Sequence, residues 1–263
     1  MKVLKLGQSL CSSNNQGVSF SNKYSLDFDG VDDYLSLGDS NTFSFGNGST
    51  DVPFSLSIWY KTSDVTSMPL FSKTTAVSAE REYYMYISGA DKLAFALFDT
   101  SSGGYILAQT AAVTSTQGSW NHVVFAYAGN ETKTGLKIYL NGSLQSVTYS
   151  ADGATIGTGP YVAMENTAFP LNIAYFPIIN GYTDGNLDEA SMWNKELSAS
   201  DVTNIYNSGE PTNLSGEAAL IGWWRMGDPT GPGAYPTITD QSTNSNNATM
   251  TNMTDSDIVT VVP

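Results

Sequence analysis

Two short, largely apolar segments joined by a polar loop constrain the fold of this 263-residue chain more than any other feature. Residues 121–127 (Asn-His-Val-Val-Phe-Ala-Tyr) and 136–140 (Leu-Lys-Ile-Tyr-Leu) show the two-residue period of β-strands. Residues 129–135 between them are polar with glycine at both ends, and Asn141-Gly142 is a dipeptide that favours positive φ in tight turns. The pattern predicts a β-hairpin within a two-sheet sandwich.

Similar short strands, separated by turn residues, recur along most of the chain. The alternation predicts strands at residues 25–29, 34–37, 54–60, 69–72, 83–87, 93–98, 105–108, 161–164, 171–174 and 185–193. Many short strands with turns between them are typical of an all-β sandwich or jelly roll with antiparallel sheets. The order of the strands within the sheets is not visible in the sequence.

One short helix is predicted near the end of this β region. Ser198 can cap its first turn, with Asp201 as the acidic partner of a capping box. Leu197 and Val202 occupy the positions of a hydrophobic staple, and Gly209 is the expected stop. Three domain regions follow: an N-terminal arm (1–22), a β domain (23–212) and a C-terminal extension (213–263). The extension is expected to pack on the same domain or on a neighbouring subunit.

The charge balance disfavours two classes of partner. Eleven Lys and Arg residues against 25 Asp and Glu residues give a formal charge of -14. Nucleic acids and anionic membranes carry the same sign, so neither is an expected partner. The sequence shows neither an apolar run of membrane-span length nor a usual secretory signal at its start.

Four motifs, in order along the chain, resemble one superfamily. They are Ser25-Leu-Asp-Phe-Asp-Gly-Val-Asp-Asp-Tyr-Leu35, Phe54-Ser-Leu-Ser-Ile-Trp-Tyr-Lys61, the hairpin with Trp120-Asn-His-Val and Tyr139-Leu-Asn-Gly142, and Asn186-Leu-Asp-Glu-Ala-Ser-Met-Trp193 followed by the helix. Together they resemble the laminin-G-like, concanavalin A-like lectin and glucanase superfamily over residues 24–210. This resemblance implies a concanavalin A-like jelly roll. The Asn/Thr-rich ending also resembles structural proteins of marine bacteriophage particles.

The residues do not favour catalysis. Glucanases of this superfamily carry a Glu-x-Asp-x-x-Glu strand, since retaining hydrolysis needs two carboxylates about 5 to 5.5 Å apart, and that spacing does not occur here. The nearest candidate, Asp188-Glu189, should place its side chains on opposite faces of a strand. The only histidine, His122, lies in a framework strand, so we expect a packed residue and no enzyme activity.

Two binding sites are expected in the loops. Relatives bind calcium at such loops, and the candidate ligands are Asp29, Asp32 and Asp188, with Asp33 and Asp184 nearby. Sugar binding needs aromatic faces beside polar groups. The candidates are Tyr175, Tyr182 and Asp184, and secondarily Tyr83 and Tyr84.

The resemblance and these candidates lead to a ranked set of functions. The first is a non-enzymatic structural or adhesion protein of a phage virion, contacting other virion proteins, further copies of itself as a homo-oligomer, and host glycans. The second is a calcium-dependent lectin, free or on a cell surface, which would place it outside the cell. The third is a glycan hydrolase, whose activity would depend on Asp188 and Glu189.

Overall fold

The computed structural model describes residues 20–62, 67–76, 80–112, 118–151, 159–227 and 235–263. Most of the expected N-terminal arm, residues 1–19, lies outside the described residues. The strands are β1 (Ser25–Asp29), β2 (Tyr34–Ser36), β3 (Phe54–Lys61), β4 (Met68–Thr74), β5 (Arg81–Ile87), β6 (Leu93–Asp99), β7 (Gly104–Thr110), β8 (Asn121–Tyr127), β9 (Leu136–Leu140), β10 (Ser143–Leu144), β11 (Val147–Ala151), β12 (Asn172–Ile173), β13 (Tyr175–Phe176), β14 (Gly181–Tyr182), β15 (Asp184–Trp193), β16 (Leu220–Trp224), β17 (Thr237–Ile238), β18 (Ala248–Thr251) and β19 (Ile258–Val259). One α-helix occurs in the described ranges, α1 (Ala199–Tyr206).

The strands form two antiparallel sheets, which confirms the predicted all-β jelly-roll sandwich. Sheet A has eight strands in the order β10-β9-β8-β3-β15-β1-β19, with β16 also paired to β15. Sheet B has nine strands in the order β11-β7-β6-β5-β4-β12-β2-β18-β17. A separate two-stranded hairpin is formed by β13 and β14. No helix in the described part of the chain is long and apolar enough to cross a membrane.

The hydrophobic core lies between the two sheets, and the β8–β9 hairpin contributes side chains both to this core and to a second cluster on the other face of sheet A. Phe125 and Ile138 point into this main core, whereas Val124 and Tyr139 face the other side of sheet A. There they pack with Trp193 and other residues in a second cluster beneath α1. Both faces of β8 are therefore buried.

The helix begins as predicted but ends earlier than expected. The Ser198 side chain accepts from the Asp201 amide, and the Asp201 carboxylate accepts from the Ser198 amide, completing the capping box. The C-cap is Asn207, which adopts the left-handed conformation at φ 45°. Gly209 follows only after a further short turn, because asparagine can itself adopt this conformation.

Residues 161–164 were predicted as a strand, and this prediction is wrong. Their backbone groups form hydrogen bonds with side chains and with a loop, and not with a neighbouring strand. The Met164 amide donates to the Asp51 carboxylate (2.9 Å), and the Val162 amide donates to Asp99 (2.8 Å). These two carboxylates thus hold an irregular segment that the alternation pattern could not distinguish from a strand.

The C-terminal region adds strands to both sheets of the same chain. Sheet A gains β16, which pairs with the second half of β15, and β19, which pairs with β1. Sheet B gains β18, which pairs with β2. Trp224 from this region is fully buried in the main core.

Candidate functional site

A groove crosses the outer face of sheet B, opposite the main core. On β6, Ala94 and Ala96 face outward between larger neighbours on both sides. Ala96 lies between Tyr84 on β5 and Leu107 on β7, and Ala94 pairs with Tyr86 on its β5 side. Both alanines are 0% exposed, so they lie covered beneath the groove, and its surface is formed by the larger side chains around them. The open volume is about 440 Å³.

Aromatic side chains form the walls of this groove. The Tyr84 ring lies 4.5 Å from Phe176, 5.3 Å from Tyr86 and 5.4 Å from Phe98, measured between centroids. Tyr105 continues the wall on β7, 6.4 Å from Phe98. Tyrosine presents an apolar face and a polar tip, so the groove combines stacking surface with hydroxyl groups.

A single cation lies among these rings. Arg81, at the start of β5, is 8% exposed and places its guanidinium carbon 5.8 Å from the Phe98 centroid. The remaining groove-lining residues carry no formal charge. Burial lowers the pKa of Arg81 from its usual range, since desolvation disfavours the charged form.

The β13–β14 hairpin forms one end of the groove and also carries the sugar-binding tyrosines expected from the sequence. Phe176 faces the groove, while Tyr175 and Tyr182 stack on each other at 4.6 Å and 15°. Tyr34 joins them, 5.2 Å from Tyr175. The structure therefore brings Tyr175 and Tyr182 together in a half-buried tyrosine stack on the opposite side of the hairpin.

Three of the expected metal-binding carboxylates come together beside this hairpin. One carboxylate oxygen from each of Asp29, Asp32 and Asp33 lies within 4.8 Å of the others. Asp29 Oδ1 accepts from the amides of Val31 and Asp32, and Asp33 accepts from the Asp29 amide. Three carboxylate groups on one short loop suit a hard cation such as Ca²⁺. Desolvation raises the pKa of Asp33 to about 6.

This loop, residues 29–33, is connected directly to the hairpin. Asp184 lies opposite Asp29 in the β1–β15 ladder, and the Gly30 amide donates to the Thr183 carbonyl oxygen (2.9 Å). A Cβ on Gly30 would lie 2.9 Å from Asp184 Cβ, so only glycine allows this close approach. Asp184 is thus next to the loop and exposed.

Asp188, the third expected metal ligand, lies elsewhere. It is fully buried on the outer face of sheet A, where it accepts from Asn22 Nδ2 (2.6 Å) and from the Glu189 amide (2.8 Å). It belongs to the part of β15 beyond the β1 pairing and is separate from the loop at residues 29–33. Burial and the neighbouring Glu189 charge raise the pKa of Asp188 well above its ordinary value.

Asp188 and Glu189 share the outer face of sheet A, so the prediction of opposite faces is wrong. A register shift separates Asp188 from Ser191, and Glu189 has φ 46°, so it is the extra residue of a β-bulge. Glu189 accepts from Trp223 Nε1 (2.6 Å) and from Arg225 Nε (3.1 Å). The two carboxylates are 0% and 4% exposed and are engaged by protein donors, so they are closed to a sugar substrate.

His122 is a packed framework residue. It is 1% exposed, and its Nε2 lies 2.7 Å from Ser57 Oγ, while its ring packs against Trp59 and Tyr206. Burial lowers its pKa to about 3, which keeps the imidazole neutral at physiological pH. A buried Ser-His pair without an opening to the surface has a structural role.

Sequence reasoning found only part of the groove. It named Tyr84, but also Tyr83, which is fully buried and donates its hydroxyl to the Phe43 carbonyl (2.7 Å). It missed Arg81, Tyr86 and Tyr105. Two sequence features could have indicated the groove. Tyr84 and Tyr86 alternate with core residues and so lie on the outer face of their strand, and the next strand, Leu93-Ala-Phe-Ala-Leu-Phe98, alternates large and small side chains.

Comparison with solved structures shows what the whole fold is similar to. A protein from Bacteroides ovatus ATCC 8483, to which carbohydrate binding has been ascribed, superposes with a TM-score of 0.58 at 17% identity, covering 92% of this chain and 61% of that one. The Ruminococcus gnavus IT-sialidase CBM40 bound to α2,3 sialyllactose gives 0.44 at 14% identity, covering 68% and 96%. Domains LG4-5 of the mouse laminin α1 chain give 0.46 at 10% identity, covering 65% and 41%.

At these identities the likeness shows the fold, and the chain spans 61% of the length of the Bacteroides protein. No curated protein matches the sequence. A family model described as the concanavalin A-like lectin/glucanases superfamily matches residues 29–203, from the last residue of β1 into α1. Since this match covers more than half of the sequence, the chain belongs to the concanavalin A-like lectin/glucanases superfamily.

Proposed function

We propose that this protein is a non-enzymatic carbohydrate-binding module and that the groove on sheet B is its sugar site. The observation that carries the proposal is the aromatic lining of this groove by five side chains, Tyr84, Tyr86, Phe98, Tyr105 and Phe176. Sugar rings present apolar C–H faces that stack on aromatic rings, and their hydroxyls need polar groups such as tyrosine hydroxyls. The carbohydrate binding ascribed to the Bacteroides ovatus protein of similar fold supports this function.

The experiment compares two tyrosines from the two sides of the hairpin. The full chain, Tyr84→Ala and Tyr182→Ala are each applied to a glycan array, and hits are measured by calorimetry. We expect Tyr84→Ala to weaken binding about fivefold, because a lost aromatic stack is worth about 1 kcal/mol. Tyr182→Ala should leave the affinity unchanged, and thermal unfolding checks that both variants fold.

The outcomes separate the two candidate sugar sites. Loss of binding in Tyr182→Ala alone would transfer the site to the tyrosine stack with Tyr175 and Asp184. Absence of any glycan ligand for the wild-type chain would contradict the proposal. Release of reducing sugar from a bound glycan would contradict its non-enzymatic part and favour a hydrolase.

We also propose that the module serves on a virion, as a surface or appendage protein that binds host glycans and other virion proteins, with further copies of itself. The support is the resemblance of its Asn/Thr-rich C-terminal region to phage structural proteins, together with the lectin-like core. Mass spectrometry of purified phage particles tests this role, since the chain must be present in them. A free or cell-surface lectin is the alternative if it is absent from particles.

Calcium is the proposed ion, held by Asp29, Asp32 and Asp33. The support is their common loop and the convergence of their oxygens within 4.8 Å. Asp188, in the bulge of β15, would not contribute to this site. Bound calcium would supply charge compensation for the three carboxylates beside the tyrosine stack.

A further inference from the structure

Arg81 is a buried cation with incomplete hydrogen bonding. It is 8% exposed, and its Nε has no hydrogen-bond partner. The guanidinium makes one long bond, from Nη2 to the Ala76 carbonyl oxygen at 3.4 Å. Among the described residues, no carboxylate lies within ion-pair distance of it.

This arrangement is unfavourable for the protein alone. Removing a charge from water costs free energy unless a counter-charge and hydrogen bonds compensate it. Lys73, a fully buried cation, shows the usual solution: it pairs with Asp39 and Glu82, each at 3.0 Å. Arg81 has no such pair among the residues that the structure describes, although the chain carries a surplus of acidic residues. The missing counter-charge is therefore expected from a ligand.

We propose that the groove binds a glycan through a carboxylate-bearing sugar residue, with the carboxylate on Arg81 and the sugar rings against the tyrosine walls. This inference rests on the proposed sugar-binding function of the same groove. It adds the chemical class of the ligand, an acidic sugar in place of a neutral one.

The shape of the guanidinium suits the carboxylate of an acidic sugar. The guanidinium is a planar fork of N–H donors that matches the two oxygens of a carboxylate, and charge-assisted bonds of this kind are among the strongest in proteins. Phe98 lies beneath the guanidinium and Tyr84 beside it on the same groove. These rings exclude water around the ion pair, which strengthens it.

The test uses acidic oligosaccharides and their methyl esters, which keep the same rings and linkages but lack the charge. A panel of uronic-acid and sialic-acid oligosaccharides, each with its ester and a sulfated counterpart, is titrated into the full chain. We expect the acids to bind about tenfold or more tightly than their esters. Equal binding of acid and ester, or of acid and sulfate, would overturn the inference.

Variants locate the effect at Arg81. Arg81→Gln should abolish the preference for acid over ester while weak binding of both remains, and Arg81→Lys should restore only part of it, because lysine lacks the fork. Tyr84→Ala should weaken acid and ester alike. An acid preference unchanged in Arg81→Gln would contradict the inference. Thermal unfolding of each variant confirms that the fold is retained.

The two proposals fail differently. If neutral glycans bind in the groove and lose affinity in Tyr84→Ala, sugar binding stands and only the acidic class is wrong. If no glycan of either kind binds, the sugar-binding function itself is wrong.

Discussion

At the scale of single residues, the clearest consequence of burial concerns Asp188. Its pKa is raised because the carboxylate is buried beside Glu189, so the folded state holds the proton more tightly than the unfolded state. The contribution of Asp188 to stability is therefore greatest at low pH and falls as pH rises above the ordinary aspartate pKa of about 3.9. The burial of this carboxyl group therefore costs stability at neutral pH.

Replacing Asp188 with asparagine should remove this penalty. We expect Asp188→Asn to unfold at a higher temperature than the wild type at pH 7.5, and to show a smaller difference at pH 4. Rotation of the Asn22 amide restores the hydrogen bond, since Asn22 Oδ1 has no partner. Calorimetric unfolding at both pH values measures the effect.

Asp99 provides a control with the opposite sign. It is 1% exposed, and amides and hydroxyls of Ser101, Ser102 and Val162 lower its pKa. Its contribution to stability is present at neutral pH and is lost as pH falls through the lowered pKa. Asp99→Asn should therefore destabilise the protein at pH 7.5. If Asp188→Asn behaves in the same way, the assigned pKa shift of Asp188 is wrong.

At the scale of elements, the β8–β9 hairpin and the helix α1 contact each other at a glycine. Gly142 has φ 77° in the turn after β9, and a Cβ there would lie 2.8 Å from Tyr206 Cδ1 on α1. Tyr206 cannot easily move, because its ring stacks on Trp59 at 5.7 Å and on His122 at 5.9 Å. The turn is thus part of the helix docking surface.

The Gly142→Ala variant measures how much stability is lost through strain in the turn and how much through a clash with Tyr206. We expect it to lower the free energy of unfolding by about 2–4 kcal/mol, from left-handed strain of about 1–2 kcal/mol and a clash of similar size. Gly38→Ala is the matched control, since Gly38 has φ 69° but nothing within 4 Å of an added Cβ. Equal losses in urea denaturation would show that the turn alone matters.

Some elements could be predicted from the sequence because neighbouring residues determine them, and others could not. The β8–β9 hairpin and the cap at Ser198 were predictable, because alternation, turn dipeptides and capping boxes involve neighbouring residues. The bulge at Glu189 was not, since it depends on Trp223 and Arg225 far along the chain. The same limit applies to Arg81, whose burial arises from three adjacent strands and the β13–β14 hairpin.

At the scale of the whole molecule, the C-terminal strands complete both sheets. The Ser25 hydroxyl donates to the Val261 carbonyl oxygen (2.5 Å), and Ser25 pairs with Val259, so β1 is held along the edge away from β15. Met250 and Met253 pack into the main core. These residues belong to the same packed unit as residues 29–203, although the family model ends at α1.

Calcium binding can be measured through its effect on this unit. If the loop of residues 29–33 binds Ca²⁺, saturating calcium should raise the unfolding temperature at pH 7.5, since a ligand at 100 times its Kd stabilises by about 2.7 kcal/mol. The gain should shrink below pH 6, because Asp33 takes up a proton near that pH and protons compete with the ion.

Two variants test the location of the ion. Asp33→Asn should abolish most of the calcium effect, while Asp188→Asn should leave it intact. Identical unfolding temperatures in excess calcium and in chelator would refute the site. A calcium effect lost in Asp188→Asn would place the ion in the bulge of β15 instead.

The β13–β14 hairpin contacts both the groove and the aspartate loop of residues 29–33. Its Phe176 face forms a wall of the groove, and its Thr183 end is hydrogen-bonded to Gly30 in the aspartate loop. An ion that orders the loop would then also order the wall, and linkage makes such an effect reciprocal. The factor by which calcium increases the affinity for the glycan must equal the factor by which the glycan increases the affinity for calcium. The module would then bind each ligand most tightly when the other is present.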